Sequence, residues 1–338
     1  MGIIKVRSHE RIDYKRCPKK WYWKWRKGLV PKAKSFGPLE LGTWMHDALA
    51  AWYGTGYARQ PSLTDLFNDQ ANAALAEAQE LGIPDYLLEK AEELACLGAA
   101  MAGAYQKTYG NDPEIKVLAT EIALDFSIDT EFPGIHAVHL LKPDLVCEDT
   151  AGNAWLVEHK TAATIRTDHL VIDDQARPYG AMAERALRKA GILREGQRFM
   201  GIMYNFLRKG FPDLREVDAS GKSLNNDGTV SKRQPQRMFL RYPVKMTDKA
   251  KAIALRRIRG EVIDIARLGT ELRRDSNAHK YLTKTPHMSC PRFCQYFDLC
   301  VAEEQGTNIS EMERSMYVRQ NPYDYGETTD AATSFEMG

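Results

Sequence analysis

The chain has 338 residues and a formal net charge of +2, with 43% hydrophobic and 27% charged residues. That length exceeds the size at which one core usually stops growing, so a large core with insertions, or a core plus an accessory lobe, is expected. No run approaches the ~18 apolar residues of a membrane helix and Met1-Gly2-Ile3-Ile4-Lys5-Val6-Arg7 has no signal-peptide core, so a soluble, cytoplasmic protein without membrane contact is expected.

The near-neutral sum conceals segregation. Residues 5–32 hold eleven Lys and Arg against Glu10 and Asp13, whereas residues 303–338 hold eight acids against Arg314 and Arg319. From Ser8 to about Lys27 the pattern is helical, aromatic and basic, and Pro31 with Ser35-Phe36-Gly37-Pro38 ends it. A helix-rich lobe follows from about Leu41 to about Tyr109, with Leu87, Leu88, Ala91, Leu94 and Leu97 at helical spacing. After Asn111-Asp112-Pro113 the period changes to two. Strands are expected over 115–126, 136–146 and 153–161, a helix over 172–190, strands over 199–207 and 237–244, and a long basic helix over 248–274. The stretch 220–234, rich in Ser, Asn, Gly and Lys, reads as a flexible loop, and the acidic residues after Cys300 as a mostly disordered tail. The expected organisation is a basic aromatic segment (1–40), a helical lobe (41–110), a core (111–275), a cysteine-bearing segment (276–305) and the acidic tail (306–338).

One segment carries most of the chemistry. Lys142-Pro143-Asp144-Leu145-Val146 is followed, after a turn at Asp149-Thr150-Ala151-Gly152-Asn153, by Leu156-Val157-Glu158-His159-Lys160-Thr161. On adjacent strands Asp144 and Glu158 can converge on a hard divalent cation, and Lys160 points to the face of Glu158 because strand side chains alternate. The main-chain carbonyl of His159 can complete the shell, while Lys160 orients or helps deprotonate a water and stabilises developing charge. A plain salt bridge between Glu158 and Lys160 on a strand edge is the bland alternative, against which the apolar surroundings of both acids weigh.

Other residues are candidates around this pair. His46, at the start of a helix, can ligate a metal such as manganese or be an ordinary helix-face histidine. Glu121 can join the metal shell or sit on a solvated face. Gln175 and Tyr179 share a helix face at i and i+4 and can hold phosphate or the attacking water.

Four of the six cysteines lie near the chain ends. Cys290, Cys294 and Cys300 form a C-x3-C-x5-C group, and Cys17 precedes Pro18. Three local thiols with a distant fourth suit a 4Fe-4S cluster or a structural zinc that ties the ends together, and the spacing is not that of a zinc ribbon. Around Cys17, the cations Lys15, Arg16, Lys19, Lys20, Lys24 and Arg26 interleave with Trp21 and other aromatics. Such a segment can hold single-stranded DNA by phosphate pairing and base stacking, or its tryptophans can pack the core while the lysines stay solvated.

Pro143-Asp144, thirteen residues and then Glu158-His159-Lys160 resembles the motif of the PD-(D/E)XK nuclease superfamily. His46 before it, with Gln175 and Tyr179 after it, resembles the RecB-like branch in residues and in order. Two departures stand out: no glycine precedes Asp144 by two or three residues, and one extra residue separates Cys290 from Cys294. The cysteine set otherwise resembles the iron-sulfur staple of AddB-type helicase-nucleases and of CRISPR-associated exonucleases. The resemblance implies an α/β fold: a three-layer α/β/α restriction-endonuclease-like core with a mixed sheet, a helical insertion and a four-cysteine staple. It also implies an exonuclease dependent on Mg2+ or Mn2+ that acts on single-stranded or end-bearing duplex DNA, in recombination, repair or phage DNA metabolism. A homo-oligomer or a recombination or CRISPR-type partner protein would fit that setting. A catalytically inactive DNA-binding subunit and a zinc-stapled structure-specific endonuclease remain the alternatives.

Overall fold

The computed structural model describes residues 3–32, 36–130, 134–275 and 277–324. In chain order the elements are β1 (Ile3–Arg7), α1 (Ser8–Arg16), α2 (Pro18–Trp21), a π-helical turn (Tyr22–Arg26), β2 (Leu29–Pro31), α3 (Pro38–Gly54), α4 (Leu63–Glu80) and α5 (Asp85–Tyr109). Then come β3 (Lys116–Thr120), β4 (Leu124–Asp129), β5 (His136–Leu141), β6 (Leu145–Glu148), β7 (Ala154–Ala162), α6 (Ala176–Lys189), β8 (Phe199–Arg208) and β9 (Phe239–Lys245). The chain continues with α7 (Asp248–Arg274), α8 (Cys290–Phe293), α9 (Phe297–Glu304), α10 (Ser310–Met316) and β10 (Tyr317–Arg319). Among the described residues no helix is long and apolar enough to cross a membrane.

The chain divides into two compact units, one formed by Met1–Ala33, Asp129–Val138 and Glu261–Gly338, the other by Lys34–Ile128 and His139–Gly260. The larger unit is built on a five-stranded mixed sheet in the order β3-β6-β7-β8-β9. The β7–β8 pair is parallel and the other neighbours are antiparallel. A parallel pair needs a crossover, and α6 supplies it. It lies close to β8 because Gly180 leaves room for Ile202 and Met246, where a Cβ would collide with both side chains. On the opposite face α3, α4 and α5 bury Trp44, Trp52, Phe67, Met101 and Tyr105 against Leu145, Trp155, Val157 and Leu207 of the sheet. Helices therefore cover both faces, an α/β arrangement consistent with a restriction-endonuclease-like fold.

The turn between β6 and β7 is specified by its sequence. The Asp149 carboxylate accepts the main-chain N–H groups of Ala151 (3.0 Å) and Asn153 (2.8 Å) and the indole N–H of Trp155 (2.9 Å). Gly152 takes φ +79°, a conformation that costs other residues energy. This turn sets the register Leu145↔Val157, which brings Asp144, one residue further on, opposite Glu158.

Two long strands expected from periodicity are each broken in two. The stretch 115–126 divides at Glu121, whose φ is +47°, and 136–146 divides at 142–144, where Pro143 has no N–H to donate to a ladder. The two breaks meet: the Glu121 N–H donates to the Asp144 carbonyl at 3.1 Å. Asp144 thus lies in the connection between β5 and β6 rather than on a strand. The stretch 220–234 is closed by bridges Val217↔Ser223 and Leu224↔Val230 and by Gln234 bonds to Ser223.

The smaller unit ties early and late sequence together. β2 pairs antiparallel with β10, and Trp23, Leu29, Tyr296, Leu299 and Tyr317 form a buried cluster. The Tyr296 hydroxyl donates to the Leu29 carbonyl at 2.6 Å. Residues 310–319, read from sequence as part of a disordered tail, form α10 and β10; the remainder of that expected tail beyond 324 lies outside the described residues.

Candidate active site

The hairpin and α6 bring three of the expected residues into one hydrogen-bonded group in the larger unit, with Asp144 and His46 paired beside it. Lys160 Nζ donates to Glu158 Oε1 and to Gln175 Oε1, both at 2.8 Å, and Gln175 Nε2 donates back to Glu158 Oε1 at 3.1 Å. Across the hairpin, Asp144 Oδ2 accepts the His159 main-chain N–H at 2.7 Å and lies 3.5 Å from His46 Nδ1. Gln175 reaches the group because Asp173 caps α6, its Oδ1 accepting the N–H groups of Gln175 (2.9 Å) and Ala176 (2.6 Å). Pro178 then falls in the first turn, where a missing N–H costs nothing.

Burial sets the electrostatics. Glu158 is 5% exposed. Loss of water and the nearby Asp144 charge push its carboxyl above the usual range, and the Lys160 ammonium pulls the other way. Burial also opposes charge on Asp144, but the hydrogen bond and charge of His46 outweigh it and hold that carboxyl below its usual range. The same pair raises His46 despite its burial. Lys160 is likewise raised, because Glu158 more than offsets the burial that disfavours its charge, so its ammonium form is held firmly.

His159 belongs to a different environment from its neighbours in sequence. Its imidazole faces the α3 and α5 side of the sheet, stacked on Tyr53 at 5.8 Å and edge-on to His46 at 5.9 Å. Asn205 Nδ2 bonds both His159 Nδ1 and the Tyr105 hydroxyl at 2.9 Å, so Nδ1 is the acceptor and the ring is neutral. From Tyr105 the chain of bonds runs to Tyr53 (2.9 Å) and to Asp112, which Arg241 grips with both Nη atoms at 2.8 and 2.6 Å. Asn205, Tyr53, Tyr105, Asp112 and Arg241 are functional candidates that the sequence reading missed. A lone amide inside the apolar strand Phe199–Arg208 was the one visible signal.

Other expected residues stand further out. Glu121 pairs with Lys142 at 3.0 Å, and its carboxyl is raised by burial and by Asp144. Tyr179 stands edge-on to His139, ring centroids 6.5 Å apart. In the smaller unit the basic segment is matched by acids. Lys15 pairs with Glu261 at 2.9 Å, Lys20 and Lys24 with Asp13 at 2.8 and 2.9 Å, and Arg26 lies over the Trp21 ring. Arg16 is exposed. Two candidates for DNA contact are corrected by burial. Trp21 is fully buried with its indole N–H on Glu10, leaving no face for a base, and Lys19 is 1% exposed and held by Glu303 at 2.6 Å.

The four terminal-region cysteines lie in the smaller unit, and none of them is in a disulfide. Burial raises Cys294 and Cys300, and the neighbouring Cys17 raises both further. The sulfurs of Cys17 and Cys290 accept N–H groups from Lys20 (3.5 Å) and His287 (3.3 Å). Among the described residues, no three His, Cys, Asp or Glu side chains stand together in a geometry that holds a metal ion. The donor types nevertheless suit the groups expected: carboxylates and an imidazole for a hard divalent cation, four thiols for iron-sulfur or zinc.

A hairpin that sets Asp144 opposite Glu158 and Lys160, on a mixed sheet covered by helices, is the arrangement expected of one nuclease family. The family model for the PD-(D/E)XK nuclease superfamily matches residues 9–301, and the chain belongs to that superfamily. Membership carries nuclease activity on DNA with a divalent metal such as Mg2+ or Mn2+. No curated protein matches the chain.

Neutral His159 has a measurable consequence in metal-free buffer. Burial pushes its pKa from the ordinary 6.5 down to about 3, so between those values the unfolded chain binds a proton that the folded chain refuses. Stability therefore rises with pH across that window and is fully present above 6.5. His159→Gln is expected to flatten the slope of unfolding free energy between pH 5 and 6.5 by up to about 1.4 kcal/mol per pH unit, measured by urea denaturation in EDTA. Equal slopes would contradict the buried neutral ring.

Proposed function

We propose that this protein is a metal-dependent DNA exonuclease of the RecB-like branch, hydrolysing phosphodiester bonds from DNA ends. The observation that carries this reading is the closed group of Glu158, Lys160 and Gln175 beside Asp144 and His46. Asp144 and Glu158 would hold the cation, with His46 and the His159 carbonyl as further donors, and Glu121 is near enough electrostatically to Asp144 to join. A divalent cation bound there polarises the scissile phosphate and lowers the pKa of water. Lys160 acts as a fixed positive charge toward the phosphate rather than as a base, because Glu158 keeps it protonated. Gln175 fixes the direction of that ammonium, and Tyr179, one turn along α6, lines the approach for substrate. In a reducing cytoplasm, where thiols such as buried Cys147 persist, such an enzyme would serve recombination, repair or phage DNA metabolism.

The test is degradation of end-labelled linear and closed circular DNA, each with Mg2+ or Mn2+. The parent is expected to consume linear DNA and spare circles, and Asp144→Asn and Lys160→Met, checked for folding by circular dichroism, to lose at least about a hundredfold in rate. Equal attack on circles would replace the exonuclease with an endonuclease. Binding without cleavage by the parent would make it an inactive DNA-binding subunit.

Cys17, Cys290, Cys294 and Cys300 form, in this reading, the ligand set of a structural 4Fe-4S cluster. The support is that Cys17 and Cys290 raise Cys294 and that Cys17 and Cys294 raise Cys300, as thiols in one neighbourhood do. Protein purified anaerobically is expected to contain about four irons with matching sulfide per chain. Zinc in their place would make the staple a zinc site.

A further inference from the structure

A groove of about 740 Å³ opens in the larger unit between α5 and the segments that follow β8 and precede β9. Its lining includes the apolar side chains of Ala104 and Met238 and the cations Lys107, Arg208 and Arg237. Phe211 and Leu214 stand at its edge, 63% and 89% exposed. The one acid of the lining, Asp213, is neutralised by Arg215 at 2.6 Å. Among the described residues no ion pair takes up Lys107, Arg208 or Arg237. Arg208 instead donates from Nη2 to the weak acceptor Met238 Sδ at 3.2 Å, and its buried Nε has no partner.

From this we infer that the groove is a binding site for single-stranded DNA, with phosphates on the three cations and a base stacked on Phe211. Unopposed positive charge beside an exposed ring is the combination that holds a single strand, whose unpaired bases offer free faces that a duplex conceals. A protein partner would use the apolar edge but would leave three cations unanswered. The groove lies beside the end of β8, the strand parallel to β7. In the parallel register Lys160 lies opposite Phe206 and Ala162 opposite Arg208, so Arg208 is two residues, about 7 Å of strand, beyond the level of Lys160. The α5 residues of the lining put the groove on the face of the sheet opposite Glu158 and Lys160, so a strand held there reaches them by passing round the end of β8 at Arg208. The inference rests on the nuclease reading and adds to it the form of the substrate at this surface.

The experiment is fluorescence anisotropy with a labelled oligothymidylate over a series of salt concentrations, using the full chain carrying Lys160→Met so that DNA is not consumed. Phe211→Ala is expected to weaken binding by roughly 5- to 150-fold with an unchanged salt slope, the loss of one base stack. Arg208→Gln and Arg237→Gln are each expected to lower the slope of log affinity against log salt by about 0.7. Lys90→Gln, an exposed position on α5 outside the lining, controls for net charge and should leave both unchanged. If all three groove variants match the parent in affinity and slope, the groove is not the site, and the nuclease reading stands on its cleavage assay. If the parent binds no oligonucleotide, the groove inference fails, and cleavage of duplex ends alone decides the other.

Discussion

Two acids facing each other across one hairpin, both withdrawn from water, are the constraint around which the larger unit is arranged. Left alone, Asp144 and Glu158 would each make the other's charge more costly, and the raised pKa of Glu158 reflects its burial first and the Asp144 charge after it. The fold answers with one positive partner apiece: His46 at Asp144, Lys160 at Glu158. Removing one partner of such a buried pair typically costs about 3–5 kcal/mol. Groups held at that expense for no structural gain are usual where chemistry is done.

The precision of the pair depends on both layers of helices. On one face α6 contributes Gln175, positioned by the Asp173 cap, which closes the triangle with Glu158 and Lys160. On the other, α3 brings His46 to Asp144, while Tyr53 and Tyr105 join Asn205 and His159 to the Asp112–Arg241 pair. Because strand side chains alternate, Glu158 and Lys160 face α6 whereas His159, between them, faces the polar chain of α3 and α5. A shift of one residue in the β6–β7 register would exchange these faces and dissolve both groups at once.

Much of this was legible in the sequence. The strand expected over 153–161 is β7, at 154–162, and the basic helix expected over 248–274 has those bounds in α7. Asp144, Glu158 and Lys160 lie together as their spacing suggested, and Gln175 beside them as the resemblance implied, because hairpin register and helix start are local properties written in Asp149, Gly152 and Asp173. What escaped was long-range or backbone-specific. Periodicity ran straight through Glu121 and Pro143, since it counts side chains and not ladder donors. The basic segment looked like a DNA surface because its neutralising acids Glu261 and Glu303 lie 246 and 284 residues from Lys15 and Lys19. Asn205 could be noticed as an oddity but not assigned, as its partners His159 and Tyr105 are 46 and 100 residues away.

The central claim is that Asp144 and Glu158 are kept charged and buried in order to take a divalent cation. It is tested most directly by the thermal unfolding midpoint of the protein and of Glu158→Gln, each in EDTA and in Mn2+. In EDTA the variant, which leaves the Lys160 ammonium without its carboxylate partner, should unfold below the temperature of the parent. Mn2+ should then stabilise the parent alone, by about 2.7 kcal/mol at a hundred times its dissociation constant. Equal stabilisation of both proteins, or none of the parent, would show that the two acids are not a metal site.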